Sequence, residues 1–484
     1  MIFLMINLIK YVRKIRIMSK YKIRKVCCIG AGYVGGPTMI VFANKCPDIE
    51  FKVVDINAAR INQWNQEDLS KLPIYEPGLD KLLKKCRNKN LFFSTDLENS
   101  ISQADMIFLS VNTPTKNKGI GAGKASDLKW VEASARQIAK YGEDHTIVVE
   151  KSTLPVRTAE TIKKILDNSQ EETTKSVKRK EFSVLSNPEF LSEGNAIKDL
   201  EYPDRVLIGG DNEKAIDALE NLYINWVLRE KIIRTNLWSS ELSKLAANAF
   251  LAQRISSVNS ISAICEETGA DIKQVSKAIG TDSRIGNKFL MPSPGFGGSC
   301  FQKDILNLVY LCEFYKLNEV ADYWQGVVNI NNWQKSRISK LVVNKLFGNV
   351  SEKKIAILGF SFKANTNDTR NSPSIDICND LLEEGAKLRI YDPKVGKEQI
   401  KKDLENKLKS NYEKGDWEYC KSIKESTLDS HAIIVLTEWD EFKTINLKEI
   451  FQGVKKPSWI FDTRLILNKE DALKAGFSYW SLGS

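Results

Sequence analysis

Val26-Cys27-Cys28-Ile29-Gly30-Ala31-Gly32-Tyr33-Val34-Gly35 decides the fold. The apolar run reads as a buried strand, and the glycines after it are spaced GxGxxG. An apolar helical stretch follows, then Phe51-Lys52-Val53-Val54-Asp55 as a second strand ending in an acid. In this order the first glycine makes a tight turn, the second lets backbone approach a diphosphate, and the third packs helix on strand. An acid about twenty residues further on holds a ribose diol. The expectation is a dinucleotide site on a doubly wound α/β sheet. Gly30, Gly32 and Gly35 would face the phosphates, and Asp55 favours NAD over NADP. Arg60 works against that preference, because a nearby arginine suits a 2′-phosphate.

Further strands end in polar loops: Met106 to Val111 into Asn112-Thr113-Pro114, Thr146 to Val149 into Glu150-Lys151-Ser152-Thr153, and Phe182 to Leu185 into Ser186-Asn187-Pro188-Glu189. Such loops share the carboxyl edge of a doubly wound sheet, so the glycine loop, Thr153 and Glu189 are expected along one crevice. Taken singly, each loop is also ordinary cap chemistry. The longest helical pattern runs from Ser239 to about Thr268 and closes at Gly269. Lys244 and Asn248 are four apart on it and share a face. Among Leu245, Ala246, Ala247 and Phe250, Lys244 is desolvated, which points to function over a solvated surface lysine.

Pro294-Gly295-Phe296-Gly297-Gly298-Ser299-Cys300-Phe301-Gln302-Lys303-Asp304 puts a cysteine after a glycine turn and at the start of a helical pattern. A helix N-terminus favours thiolate, and Asp304 lies one turn beyond Cys300. The residues alone leave Cys300 open between a nucleophile and a buried, inert thiol. From Lys353 a second α/β unit begins, with strands Ile355 to Leu358 and Leu388 to Tyr391. It repeats the first unit's order without the triple glycine, so it should bind something other than a dinucleotide. Lys363 and Arg464 suit a diphosphate. The charge-dense stretch from about 397 to 424 reads as a surface insertion.

Composition narrows the class. At 484 residues two or three domains are expected, and 42% hydrophobic content is enough for soluble cores. Nine scattered cysteines without CxxC pairs argue for a reducing, cytoplasmic setting and against disulfides or a metal site. Only His145 and His431 are histidines, so acid and base roles fall to Lys, Asp or Glu. The formal charge is +10, but Lys10, Arg13, Lys14, Arg16 and Lys20 at the N-terminus hold half of it. The rest is mildly basic, which suits a phosphorylated small molecule and gives no nucleic-acid stripe. The apolar-then-basic N-terminus reverses a secretory signal and is too short to span a bilayer. It is read as a tail, or an upstream start before Met18, ahead of a surface anchor or presequence.

The full set of motifs resembles the UDP-glucose 6-dehydrogenases of the UDP-glucose/GDP-mannose dehydrogenase family, animal and plant type. It includes LPIYEPGL (72–79), SVNTPTK (110–116), EKSTLPVRTAE (150–160), LSNPEFLSEG (185–194), SSELSKLAANAFLAQRISS (239–257), GFGGSCFQKD (295–304) and AILGFSFK (356–363). The resemblance implies two Rossmann-like doubly wound domains joined by a long central helix. Its divisions are a tail at 1–20, an NAD-binding domain at 21–236, a central helical domain at 237–348 and a UDP-sugar domain at 349–484. It implies oxidation of UDP-glucose to UDP-glucuronate with two NAD and one water. Cys300 would be the nucleophile that holds a thiohemiacetal and then a thioester. Lys244 and Asp304 would act in the first deprotonation, Asn248 at the sugar and oxyanion, and Glu189 and Thr153 on the hydrolytic water.

On the NAD side the resemblance adds Tyr33, Val34, Arg60, Val111, Thr113, Ser152, Glu193, Lys303 and Arg370. On the sugar-nucleotide side it adds Phe190, Leu191, Arg284, Phe289, Leu290, Phe296, Gly297 and Phe301, besides Lys363 and Arg464, with Arg284 reaching from a neighbouring subunit. No metal is implied, and dimers assembling into hexamers are. Met291 and Pro294 depart from the animal pattern in a loop tied to UDP-xylose feedback, so the resemblance leaves open whether that control is kept. Asp462-Thr463-Arg464 replaces the usual Asp-Gly-Arg. A dehydrogenase of another nucleotide sugar, such as GDP-mannose or UDP-N-acetylmannosamine, and a non-catalytic sugar-nucleotide sensor are the other readings.

Overall fold

The computed structural model describes residues 22–168, 180–405 and 415–484. The N-terminal tail anticipated at 1–20 lies outside them. The described chain divides into two compact units: residues up to Thr113 with Asp127–Lys244, and Pro114–Ser126 with Leu245–Ser484.

The first unit is built on β1 (Lys25–Ile29), β2 (Glu50–Val54), β3 (Leu91–Ser94), β4 (Met106–Leu109), β5 (Ile147–Glu150), β6 (Ser183–Ser186), β7 (Val206–Gly209) and β8 (Ile232–Thr235). Their spatial order is β3-β2-β1-β4-β5-β6-β7-β8. Five of the strands, β1, β4, β5, β7 and β6 (past its first residue), are buried or nearly so along their length, as a sheet covered on both faces requires. The first six strands are parallel, while β7 meets β6 antiparallel at Ser186 and Gly209. β7 and β8 were not legible as strands from sequence. Between β1 and β4 the order reverses, and that switch point opens a crevice at the strands' carboxyl ends. One face packs Met39, Phe42, Phe51, Trp64 and Phe108, and the other Ile107, Val131, Ile138, Ile162 and Leu166.

Leu237–Thr268 forms one 32-residue helix without glycine or proline. Its first turns belong to the first unit and the remainder to the second. The second unit adds helices Ile272–Gly280, Phe301–Phe314 and Asn318–Lys345. It also holds an all-parallel sheet of β9 (Lys354–Leu358), β10 (Lys387–Tyr391), β11 (Asp416–Tyr419), β12 (Ala432–Val435), β13 (Trp459–Asp462) and β14 (Ser478–Ser481). The order is β11-β10-β9-β12-β13-β14, the same as the first six strands of the other sheet. Of the stretch expected as a surface insertion, residues 406–414 lie outside the described residues, and the rest includes a helix, Lys397–Glu405, and the edge strand β11, whose alternating charged residues suit an edge. Among the described residues no helix is long and apolar enough to cross a membrane, and no group of His, Cys, Asp or Glu could hold a metal ion.

Candidate active site

In the first unit the glycine loop is shaped by what surrounds it. A Cβ on Gly30, whose φ is +110°, would lie 2.3 Å from the Ser110 carbonyl oxygen, and one on Gly35 would lie 2.0 Å from that of Gly30. A Cβ on Gly32 would meet nothing within 4 Å, so that glycine faces open space where a diphosphate can approach. Val34 is the cap residue of the helix Gly35–Lys45. The Trp64 indole donates to the Ala31 carbonyl at 3.0 Å and props the loop from below. Asp55 accepts from the Ala31 N–H at 3.0 Å and pairs with Arg60 at 3.2 Å. These residues fit NAD: a loop open to phosphates beside an acid positioned for a ribose.

The carboxyl edge continues through stitched loops. Ser152 Oγ donates to the Val111 carbonyl at 2.8 Å, and Thr113 Oγ1 to that of Thr153 at 3.2 Å. Glu189 is held in place by Phe190 N–H at 2.8 Å and Leu191 N–H at 3.0 Å, while its other oxygen meets Lys151 Nζ at 2.8 Å. Lys151 also reaches Asn187 Oδ1 at 3.1 Å and the Tyr223 hydroxyl at 3.2 Å. Burial opposes the Lys151 charge, but Glu189 and Tyr223 outweigh it and hold the ammonium above its ordinary pKa. Glu189 therefore sits beside a fixed cation. Lys151 is a site residue that sequence reading missed; the signal was a lysine directly after the apolar strand Ile147–Glu150. Glu76, 5% exposed, was missed too: it accepts from the N–H groups of Gly194 and Ala196, fixing the loop that carries Glu193. Lys244 is 6% exposed, as its apolar neighbours foretold, and stands 5.1 Å from the Phe190 ring, on which the Arg205 guanidinium also stacks at 3.8 Å.

In the second unit Cys300 is the cap residue of the helix Phe301–Phe314, where a thiolate is favoured. Its Sγ is 3.3 Å from Ser299 Oγ. One turn on, Asp304 is fully buried and accepts from Asn248 Nδ2 at 2.5 Å, with Lys303 Nζ 3.9 Å away. Lys244 and Asn248 stand one turn apart on the same long helix. The other eight cysteines are buried, and burial raises every one of their thiol pKa values, to about 12 at Cys28 and Cys46.

The turn before Cys300 is clamped. Asn331, fully buried, accepts from Phe296 N–H at 2.8 Å and donates to its carbonyl at 3.2 Å, as a neighbouring strand would. Gly298 N–H bonds the Arg370 carbonyl at 2.8 Å, and a Cβ on Gly297 would lie 2.6 Å from the Asn371 carbonyl oxygen. Phe296 packs edge-on against Phe301 at 6.0 Å. Leu290 is buried, Phe289 is exposed at a positive φ of 60°, and Arg284 projects outward, bonded to Asp282.

At the carboxyl end of β9 a Cβ on Gly359 would lie 2.3 Å from Thr437, which reproduces the Gly30 arrangement. Asp392 follows β10 as Asp55 follows β2, but it is turned inward to the N–H groups of Phe360 and Ser361. Lys363 lies over the Phe362 ring at 5.6 Å. Arg464, expected at a diphosphate, pairs with Glu438 at 3.1 Å and donates to the Leu436 and Phe362 carbonyls. Arg370, expected on the NAD side, is bidentate to Asp368. The Thr463 hydroxyl donates to the Val435 carbonyl at 2.5 Å.

Three family models cover the chain in succession. They are the UDP-glucose/GDP-mannose dehydrogenase family's NAD binding domain at 24–227, central domain at 238–333 and UDP binding domain at 356–469. The chain is 55% identical over 480 residues to UDP-glucose 6-dehydrogenase 2 of Arabidopsis thaliana, covering 95% of this chain and 97% of that one. UDP-glucose 6-dehydrogenase 1 of Glycine max gives the same identity and coverage. Among solved structures, a UDP-glucose dehydrogenase from the archaeon Pyrobaculum islandicum superposes with a TM-score of 0.79 at 26% identity, over 95% of this chain and 99% of that one.

Proposed function

The chain belongs to the UDP-glucose/GDP-mannose dehydrogenase family, and we propose from that premise how its residues carry out the family's chemistry. It is an NAD-dependent nucleotide-sugar dehydrogenase that oxidises UDP-glucose to UDP-glucuronate. The observation that carries the mechanism is the Asn248–Asp304 hydrogen bond one turn inside the helix that Cys300 caps. Gly30, Gly32, Gly35 and Asp55 would hold NAD, which would supply the hydride acceptance that each of the two oxidations of C6 requires.

Lys244 and Asp304, with a water, take the proton from the C6 hydroxyl in the first oxidation. Cys300 thiolate then adds to the C6 aldehyde carbon, and Asn248 and Lys244 stabilise the oxyanion that forms. A bare aldehyde has no alkoxide to expel hydride, whereas the tetrahedral adduct has one. Its loss leaves a thioester on Cys300. Water held by Thr153 and Glu189 attacks that carbon, the C–S bond breaks, and the thiolate returns. The Lys151 ammonium, 2.8 Å from Glu189, holds that side chain in place for this step. Lys363 and Arg464 serve the nucleotide side.

The enzyme associates as a dimer through the long helix and further into hexamers, in the cytoplasm. Exposed Phe250, Ile264 and Tyr323 on the second unit's helices support an apolar contact there. The test of the whole reading is the NADH formed per UDP-glucose consumed, with excess NAD. A ratio near two without free aldehyde is expected. A ratio near one would remove Cys300 from its role, and binding without NADH would make the protein a sensor.

A further inference from the structure

Two buried carboxyl groups in the first unit have no part in the chemistry above. Glu150 ends β5, immediately before Lys151-Ser152-Thr153, and is 2% exposed. Glu241 lies in the first turns of the long helix, three residues before Lys244, and is 3% exposed. Both Glu241 oxygens are engaged from one side: Oε2 accepts from the Arg157 N–H at 2.6 Å and Oε1 from the Ala159 N–H at 2.7 Å. Those donors open the helix Thr158–Asn168, whose N-terminus favours an anion. Glu241 is therefore a carboxylate that caps, from another element, the segment leading out of the Thr153 loop.

Glu150 neighbours the Glu241 carboxyl, and its buried Oε2 has no hydrogen-bond partner. Two facing carboxylates without water or a cation between them cannot both be charged. The cations nearby are directed elsewhere. Lys151 turns to Glu189 and Tyr223, Arg157 pairs with Glu160, and Lys244 stands over Phe190.

We propose that Glu150 and Glu241 share one proton, with Glu150 the donor, and together act as a positioning device. The pair ties the Thr153 loop to the helix that carries Lys244. Neither residue touches substrate. Burial, followed by the Glu241 charge, raises the Glu150 pKa well above the carboxylate range. When Glu150 ionises as the pH rises, the two carboxylates repel, and the loop loses its register with the helix. The roles of Thr153 and Lys244 come from the reading above; the shared proton does not depend on it.

The experiment uses full-length enzyme. Infrared difference spectra should show a protonated-carboxyl stretch in the wild type that is missing in Glu150→Gln. Glu150→Ala should lower kcat on the order of 10-fold to 100-fold, the scale of a small misplacement of reacting groups, with little change in the KM for NAD. Glu150→Gln, a neutral donor of the same shape, should restore most of that loss and abolish the alkaline fall of kcat that Glu150 contributes. Glu241→Gln should resemble Glu150→Ala. A wild-type spectrum without the band, or Glu150→Gln retaining the wild-type alkaline limb, would overturn the proposal. If Glu150→Ala does not fold, the band and the two glutamine variants still decide it. Absence of turnover with the band present would sink the assignment of Thr153 and Lys244 while leaving the shared proton standing.

Discussion

Single side chains set the sharpest tests. Replacing Cys300 with serine keeps the shape but removes the thiolate, so sustained NADH production should fall by several orders of magnitude while UDP-glucose still binds; undiminished turnover would sink the covalent route. Lys151→Met leaves Glu189 buried without its cation, and breaking such a pair costs about 3–5 kcal/mol, read as a lower Tm together with slowed hydrolysis. Glu150 gives a pH signature in stability as well as rate. Its folded pKa lies above the unfolded value of 4.5, so its contribution is fully present below that pH and is lost as pH rises towards the folded pKa. Thermal scans should therefore show Glu150→Gln gaining on the wild type as the buffer becomes more alkaline; parallel curves would refute this. Lys151, Glu150 and Glu76 escaped sequence reading for one reason: each works through a partner far away in the chain, and spacing reports only local neighbours.

Elements were far more legible than partnerships. GxGxxG between a strand and a helix, Asp55 twenty-five residues after Gly30, and the long helix all appeared as written, because period and turn chemistry are local. Strand β8 was missed because it is half exposed as well as short, which leaves no apolar run or alternation to register. Cys300 at a helix start was legible, but the Asn331 clamp on the preceding turn was not, since it lies thirty-five residues downstream of Phe296. Asn331→Ala should strand both backbone groups of Phe296, costing about 1–3 kcal/mol, and should reduce kcat more than it changes the KM for UDP-glucose. Equal effects on both would mean the clamp is merely structural. Gly35→Ala forces a Cβ to within 2.0 Å of the Gly30 carbonyl oxygen and should abolish NAD binding, measured by fluorescence titration.

At the scale of the molecule, the repeated strand order shows one topology used twice. The first sheet opens its β1–β4 crevice with glycines, while the second turns Asp392 inward and closes the equivalent loop around its own N–H groups. Sequence indicated this difference through the missing glycines. Light scattering at micromolar concentration should give a dimer or larger species; a monomer would refute the association argued from the exposed helix faces. The distribution of sulfur has a further consequence. With eight thiols buried and held protonated, the chain offers electrophiles essentially one target, the half-exposed Cys300. Iodoacetamide under native conditions should attach to about one site per chain, with activity lost in step and UDP-glucose slowing the labelling. The same arithmetic makes alkylation a count of working sites: a plot of remaining activity against bound label should run straight to zero at about one equivalent per chain.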